Sequence, residues 1–175
     1  MQQHPKQVLL SQEQIAERVR ELGVEITRDF QGKSPLLVGV LKGCVTFMSD
    51  LARAIDLPCE FEFMKVSSYG NETKTSGSVK ILMDLGCDIE DRDVIIVEDI
   101  LDSGLTLDYL IKQLEIRKPA SITICTLLEK PSRRQTDVAI DYLGFQIDDL
   151  FVVGYGLDYA GRYRNLPYIG VLEAE

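Results

Sequence analysis

Two runs of consecutive apolar residues restrict the fold of this chain more than any other sequence feature. Residues 35–41 and 94–97 are largely aliphatic, and each run is followed by a turn and then by a segment with helical periodicity. Strands that are apolar on both faces are typical of a parallel sheet covered by helices on each side. The pattern therefore predicts an α/β fold built from βαβ units, which bind ligands at the carboxyl ends of their strands.

The remaining elements fit around these two strands. The 175 residues are enough for one domain, and no linker, repeat or low-complexity segment divides them. Ser11 and Gln14 form a capping-box pattern ahead of a helix whose apolar residues recur every three or four positions as far as Phe30. Residues 67–77 are polar, and the stretch is long enough to be a lid. Further helices are expected from the turn after residue 43 to about residue 56 and around 107–114, with strands at 59–63, 79–85, 122–128, 139–145, 150–153 and 168–172.

Composition excludes several classes of function. Nineteen Lys and Arg against 28 Asp and Glu give a net charge of −9, whereas nucleic acids and anionic membranes attract basic surfaces. No apolar run approaches the roughly 18 residues of a membrane span, and the first residues lack the apolar core of a signal peptide, so we expect a cytoplasmic protein. His4 is the only histidine and the four cysteines are scattered singly, which argues against Ser-His nucleophiles and zinc sites.

A cluster of acidic residues follows the second apolar run. Glu98, Asp99 and Asp102 lie within five residues and precede the turn 103–106, which leads into a helix. The backbone N–H groups and two hydroxyls of that turn suit a phosphate at a helix N-terminus. The first two carboxylates can accept hydrogen bonds from a ribose diol or lie near a magnesium ion. The structural alternative is that the three carboxylates are only solvated side chains or a helix cap. The combination of these carboxylates with a turn suited to phosphate indicates a site for a phosphorylated sugar.

The ten residues 97–106 resemble the 5-phosphoribosyl 1-diphosphate signature of the type I phosphoribosyltransferases. The pattern of a P-loop is missing, and Gly154-Tyr155-Gly156 lacks the third glycine of a dinucleotide loop. In the family that the segment resembles, the counterpart of Asp102 is the base or proton relay beside the purine N7. The resemblance assigns the ribose hydroxyls to Glu98 and Asp99, and the 5-phosphate to Asp102, Ser103, Gly104, Leu105 and Thr106.

Other segments are similar to the hypoxanthine-guanine branch of that family. Leu41-Lys42-Gly43 resembles its pyrophosphate loop, where a strained, often cis peptide bond turns an amide toward the diphosphate, and Ser68-Tyr69 resembles the start of its mobile lid. Two positions depart from the branch: Cys44 stands where a second glycine is frequent, and Pro131 where a basic residue is common. The resemblance gives the pyrophosphate contacts to Lys42, Gly43 and Arg164, and the purine contacts to Lys130, Phe151, Val152 and Asp158.

The resemblance also implies a fold, a reaction and partners. The fold is a single type I phosphoribosyltransferase domain over residues 1–175, with a central, mostly parallel twisted sheet flanked by helices. Its core takes in about residues 10–135, and a small purine-binding hood is formed mainly by 136–175 with N-terminal residues. The reaction is the transfer of phosphoribose to a 6-oxopurine in purine salvage. The implied cofactor is Mg²⁺, held by Asp158, Glu98 and Asp99.

The implied partners are small molecules, the phosphoribosyl donor and a 6-oxopurine, without nucleic acid or membrane, and we expect a homodimer or homotetramer. Two alternatives stay open at this point. A regulatory protein could keep the fold to sense the donor and bind RNA or DNA, although the net charge argues against it. An enzyme of the same fold could use adenine, orotate or uracil, although Lys130 and the segment 151–159 argue for a 6-oxopurine.

Overall fold

The computed structural model describes residues 5–67 and 79–172. Helices and strands alternate along most of this part of the chain. The elements in chain order are β1 (Gln7–Leu10), α1 (Gln12–Asp29), β2 (Leu36–Val40), α2 (Val45–Ala54), β3 (Glu60–Val66), β4 (Ile81–Met83), β5 (Asp93–Leu101), α3 (Leu105–Glu115), β6 (Ser121–Glu129), a 3-10 turn (Pro131–Arg133), β7 (Tyr142–Gln146), β8 (Val152–Val153) and β9 (Ile169–Val171).

The larger sheet has six strands in the order β4-β3-β2-β5-β6-β7. Neighbouring strands from β3 to β7 are parallel, and only the short edge strand β4 is antiparallel to its neighbour. All five residues of β2 are buried, as the continuous apolar run predicts. The predicted α/β class with a mostly parallel sheet is thereby confirmed.

Helices cover both faces of this sheet because the side chains of each strand alternate between the two faces. Leu37 of β2 packs in one apolar cluster with α1 and α2, whereas Leu36 and Val38 pack in a second cluster with α3. Helix α1 begins with the predicted capping box, in which the backbone N–H of Gln14 donates to Ser11 Oγ at 3.2 Å. Within the described ranges, no helix has the length and apolarity that crossing a membrane requires.

The smaller sheet is antiparallel and has the order β1-β9-β8. Gln7 of β1 pairs with Val171 of β9, so the N-terminal strand completes a sheet that is otherwise made of C-terminal residues. This is the small hood in the predicted fold class. The sequence analysis did not predict β1, because a strand of four residues is too short to show a clear period.

The strand β5 is longer than its apolar run, which covers only residues 94–97. Its parallel pairing with β6 continues as far as the pair Leu101 and Glu129, so backbone hydrogen bonds extend the strand through polar residues. Glu98 and Asp99 therefore belong to the strand itself and not to the loop after it. The sheet fixes the direction of both side chains more firmly than a loop would.

Candidate active site

Three segments with predicted site residues meet at the carboxyl edge of the large sheet. Strand β5 lies between β2 and β6, and all three strands run in the same direction. Lys42 follows β2 after one residue, the acidic residues end β5, and Lys130 directly follows β6. The parallel topology thus brings together residues that are far apart in sequence, at the edge where such sheets bind ligands.

The loop after β2 lies directly against the acidic end of β5. The peptide bond between Leu41 and Lys42 is cis, the conformation that the resemblance implies for a pyrophosphate loop. A side chain at Gly43 would collide with the carboxylate of Asp99, because no space separates that carboxylate from the glycine Cα. The contact places the predicted pyrophosphate loop beside the predicted ribose-binding residues.

A second glycine lies against the same loop from the hood. Gly156 has a φ of +101°, and a Cβ at this position would meet the carbonyl oxygen of Gly43. Only glycine combines this backbone conformation with so close an approach. The turn 154–156 therefore joins the hood to the predicted pyrophosphate loop.

Glu98 and Asp99 are consecutive carboxyl groups at the end of β5, of which Glu98 is buried and Asp99 is partly buried. Burial raises the pKa of Glu98 well above its usual range, and the charge of Asp99 raises it further. Burial also raises the pKa of Asp99 to about 6, although the backbone N–H of Ile100, which donates to Asp99 Oδ1 at 2.8 Å, works in the opposite direction. Hydroxyl donors or a cation from a ligand would favour the ionised form of both groups.

The predicted phosphate turn connects β5 to α3. Gly104 caps the helix with a φ of +83°, and a side chain there would collide with Thr136. The hydroxyl of Ser103 accepts from the backbone N–H of Leu105 at 3.3 Å, while Leu105 and Thr106 are the first two residues of the helix. The helix dipole and the N–H groups of the first turn make this end of α3 suitable for a phosphate.

Asp102, the predicted base, belongs to a row of alternating charges. Arg133 Nε donates to Asp102 Oδ1 at 3.0 Å, and Arg133 Nη1 lies 3.5 Å from Asp149 Oδ2. The other oxygen of Asp149 accepts from Lys130 Nζ at 3.3 Å. The sequence analysis identified Asp102 and Lys130 but missed Arg133 and Asp149, because polar residues in loops show no pattern until the fold brings them together.

The predicted purine-recognition stretch presents an aromatic ring to solvent. The side chain of Phe151 is 48% exposed, and its ring meets the ring of Tyr159 edge to face, with the centroids 5.5 Å apart. Val152 is buried in β8, where it pairs with Val171. An exposed ring beside a second aromatic ring provides a flat surface on which a base can stack. Tyr159 is a further candidate residue that the sequence analysis did not single out.

Asp158 and Arg164 form an ion pair with a distance of 2.8 Å between Arg164 Nη2 and Asp158 Oδ1. Arg164 Nη1 also donates to the carbonyl oxygen of Gly156 at 2.6 Å, which anchors it at the turn that contacts the predicted pyrophosphate loop. The charge of Arg164 lowers the pKa of Asp99 and that of Asp158 raises it, so both groups lie close enough to affect this carboxylate. The structure thus brings the pair to the acidic end of β5.

Ser68 and Tyr69, the predicted start of the lid, lie outside the described residues. In the described ranges, no three His, Cys, Asp or Glu side chains form a group that could hold a metal ion. Of the predicted metal ligands, Glu98 and Asp99 are consecutive residues of β5, and Asp158, which is close enough to raise the pKa of Asp99, is paired with Arg164.

The two sequence departures have local explanations. Cys44 is buried between the predicted pyrophosphate loop and α2, where burial, assisted by the charges of Glu98 and Asp99, raises the pKa of its thiol to about 12. It is therefore a neutral, packed side chain. Pro131 opens the 3-10 turn, where its fixed φ suits the first helical position.

The sequence is similar to those of known proteins whose activity fits this site. A family profile described as phosphoribosyl transferase domain matches residues 7–160. The chain is 56% identical to a hypoxanthine-guanine phosphoribosyltransferase of Bacillus subtilis, over 96% of this chain and 93% of that protein. It is 54% identical to the bifunctional protein TilS/HprT of Listeria innocua, over 97% of this chain but 26% of that longer protein.

The fold is also similar to that of a solved structure. The crystal structure of a hypoxanthine phosphoribosyltransferase from Staphylococcus aureus superimposes with a TM-score of 0.92 and 51% identity, covering 97% of this chain and 92% of that one. These comparisons confirm the resemblance that the signature at residues 97–106 indicated. The chain is an enzyme that belongs to the phosphoribosyltransferase family.

Proposed function

We propose that this enzyme transfers the 5-phosphoribosyl group from 5-phosphoribosyl 1-diphosphate to N9 of hypoxanthine or guanine. The products are inosine or guanosine monophosphate and pyrophosphate, so the reaction belongs to purine salvage. The names of the relatives support this choice of bases. The observation that carries the proposal is the contact between Asp99 and Gly43, the residues to which we assign the ribose hydroxyls and the pyrophosphate.

The donor would lie across the ends of β2 and β5. Its 5-phosphate would bind at the start of α3, where the turn 103–106 offers backbone N–H groups and two hydroxyls. Its ribose hydroxyls would donate to Glu98 and Asp99, and its diphosphate would reach the loop at Lys42 and Gly43. The C1–O bond to be broken would then lie near the Asp99–Gly43 contact.

The reaction develops charge at both ends of that bond. Cleavage leaves positive charge on the ribosyl group and negative charge on pyrophosphate. Protein groups that are already oriented to stabilise these charges lower the activation barrier. The amides of the loop at Lys42 and the guanidinium of Arg164 would stabilise the leaving pyrophosphate. A lid that begins near Ser68 and Tyr69 would exclude water, which competes with the purine for the ribosyl group.

The purine would be held by the hood and by the end of β6. Phe151 would stack on the base and the backbone of Val152 would contact its edge, while Asp102 would take up the purine proton. The ammonium of Lys130 would donate to the 6-oxo group. A 6-amino group presents a donor to the donating ammonium of the buried Lys130, so adenine would be a poor substrate.

The acidic residues suit Mg²⁺ as the cofactor. Mg²⁺ prefers carboxylate and phosphate oxygens and is bound through one or two carboxylates together with substrate phosphates, so a cage of protein ligands is not required. Glu98, Asp99 and Asp158 would hold it with the donor, directly or through water. The bound ion would supply charge neutralisation of the diphosphate.

The proposal also covers the domain organisation, the cellular location and the oligomeric state of the enzyme. We expect residues 1–175 to act as one domain in the cytoplasm, where the proposed metabolites occur, and to assemble as a homodimer or homotetramer. Size-exclusion chromatography with light scattering would give the oligomeric state.

A panel of bases tests the proposed substrate class. The protein is mixed with Mg²⁺, the phosphoribosyl donor and, separately, hypoxanthine, guanine, xanthine and adenine, and pyrophosphate release is measured. We expect turnover with hypoxanthine and none above background with adenine. Equal turnover with adenine would contradict the role of Lys130, and turnover with no base would favour a regulatory protein that only binds the donor.

A further inference from the structure

Four side chains of alternating charge line the side of the site where β6 ends. In order they are Asp102, Arg133, Asp149 and Lys130, and the successive nitrogen–oxygen distances are 3.0, 3.5 and 3.3 Å. Asp102 and Lys130 at the two ends have proposed roles in the reaction, whereas the two residues between them have none. The row therefore connects the proposed proton acceptor to the proposed purine lysine.

Asp149 is the ion-pair partner that the described residues provide for Lys130. The lysine side chain is only 10% exposed, and a buried ammonium requires an anion or acceptors close by. It also has four rotatable side-chain bonds, so a fixed partner is needed to hold its direction. Asp149 therefore determines where the ammonium points.

Arg133 is shared between two carboxylates. The turn that starts at Pro131 brings its guanidinium to Asp102, while its Nη1 reaches Asp149. A guanidinium that donates to Asp102 uses one of the lone pairs with which that carboxylate could accept the purine proton. Arg133 therefore connects Asp149 to the proposed proton acceptor, and its contact with Asp102 is the shorter of the two.

We propose that Asp149 is a positioning residue of the purine site, which directs the Lys130 ammonium toward the 6-oxo group. The inference rests on the proposed function, because it assumes that a 6-oxopurine meets Lys130. Asp149 itself is 48% exposed, and an ion pair so open to water adds little to folding stability. Its main effect is therefore on ligand binding.

Equilibrium binding to the intact protein tests this role without requiring turnover. The dissociation constants of inosine monophosphate and of the phosphoribosyl donor are measured by calorimetry for the wild type and for Asp149→Asn. We expect the nucleotide to bind about tenfold more weakly to the variant, because the lysine loses its partner. The donor contains no purine, so its affinity should stay within about twofold of the wild-type value.

Four further variants make the test specific. Asp149→Glu keeps the charge and should recover most of the nucleotide affinity. Asp148→Asn removes a neighbouring exposed carboxylate and serves as the matched control, with no change expected. In a Lys130→Gln background, Asp149→Asn should weaken nucleotide binding by less than about twofold, since the interaction partner is already absent.

Two results would overturn the inference: an equal loss of affinity for both ligands, or the same effect of Asp149→Asn with and without Lys130. If the wild-type protein binds inosine monophosphate but makes none of it, the proposed reaction fails while the variants still test Asp149. If the wild type does not bind the nucleotide at all, both proposals are wrong.

Discussion

The carboxylate of Asp99 lies against the Cα atom of Gly43, and this contact joins the end of β5 to the loop after β2. One residue is a proposed ligand of the ribose hydroxyls and the other belongs to the proposed pyrophosphate loop. The scissile bond of the donor joins ribose to pyrophosphate. A contact between these two positions is therefore the structural basis of the proposed reaction.

Gly43→Ala tests this contact. The added methyl group would displace the Asp99 carboxylate or the loop, and small displacements of reacting groups can reduce rates by about 10²-fold. We expect a loss of kcat/KM for the donor of at least about tenfold. The matched control is Gly86→Ala, since a Cβ there would come no closer than 3.5 Å to Glu62. Wild-type kinetics for the Gly43 variant would contradict the proposed arrangement.

Asp102→Asn tests the proton acceptor. The amide keeps the size of the side chain but cannot take up the purine proton, so we expect turnover to fall by on the order of 10²-fold. The affinity for the donor, measured by calorimetry, should change little. Asp108→Asn, which removes a partly exposed carboxylate paired with Lys112 on α3, is the control. Near-normal turnover of the Asp102 variant would remove this residue from the proposed role.

Asp158→Asn tests the proposed metal ligand. Loss of one carboxylate should raise the Mg²⁺ concentration for half-maximal activity by about tenfold, because Mg²⁺ is bound through few protein oxygens. The measurement is a metal titration at saturating donor. An unchanged titration curve would show that Asp158 acts only through its ion pair with Arg164.

Ser11→Ala should affect the fold and leave the site intact. The Ser11 hydroxyl caps α1, so its removal should lower the free energy of unfolding by about 1 kcal/mol. Urea denaturation measures this change, with Gln12→Ala as the control on the exposed first turn. A drop in kcat/KM with unchanged stability would mean that α1 contributes to the reaction.

The sequence predicted those parts of the structure that depend on local pattern. The buried run at 35–41 led to the parallel strand β2, and the spacing from Ile15 to Ile26 led to the buried face of α1. The signature at 97–106 located the acidic residues and the phosphate turn because all of them are adjacent in the chain.

Contacts between distant segments could not be predicted in this way. Arg133 and Asp149 are ordinary loop residues in the sequence, and only the pairing of β6 with its neighbours brings them to Asp102 and Lys130. The length of β5 depends in the same way on its pairing with β6. These contacts and the length of β5 depend on the pairing of distant strands, which the local sequence pattern does not encode.

Product analysis tests the central claim most directly. The protein, Mg²⁺, phosphoribosyl diphosphate and hypoxanthine are incubated, and the nucleotide is identified by mass spectrometry while pyrophosphate is quantified. The account predicts inosine monophosphate and pyrophosphate in equal amounts. Pyrophosphate with free ribose 5-phosphate in place of the nucleotide, or no consumption of the donor, would contradict it.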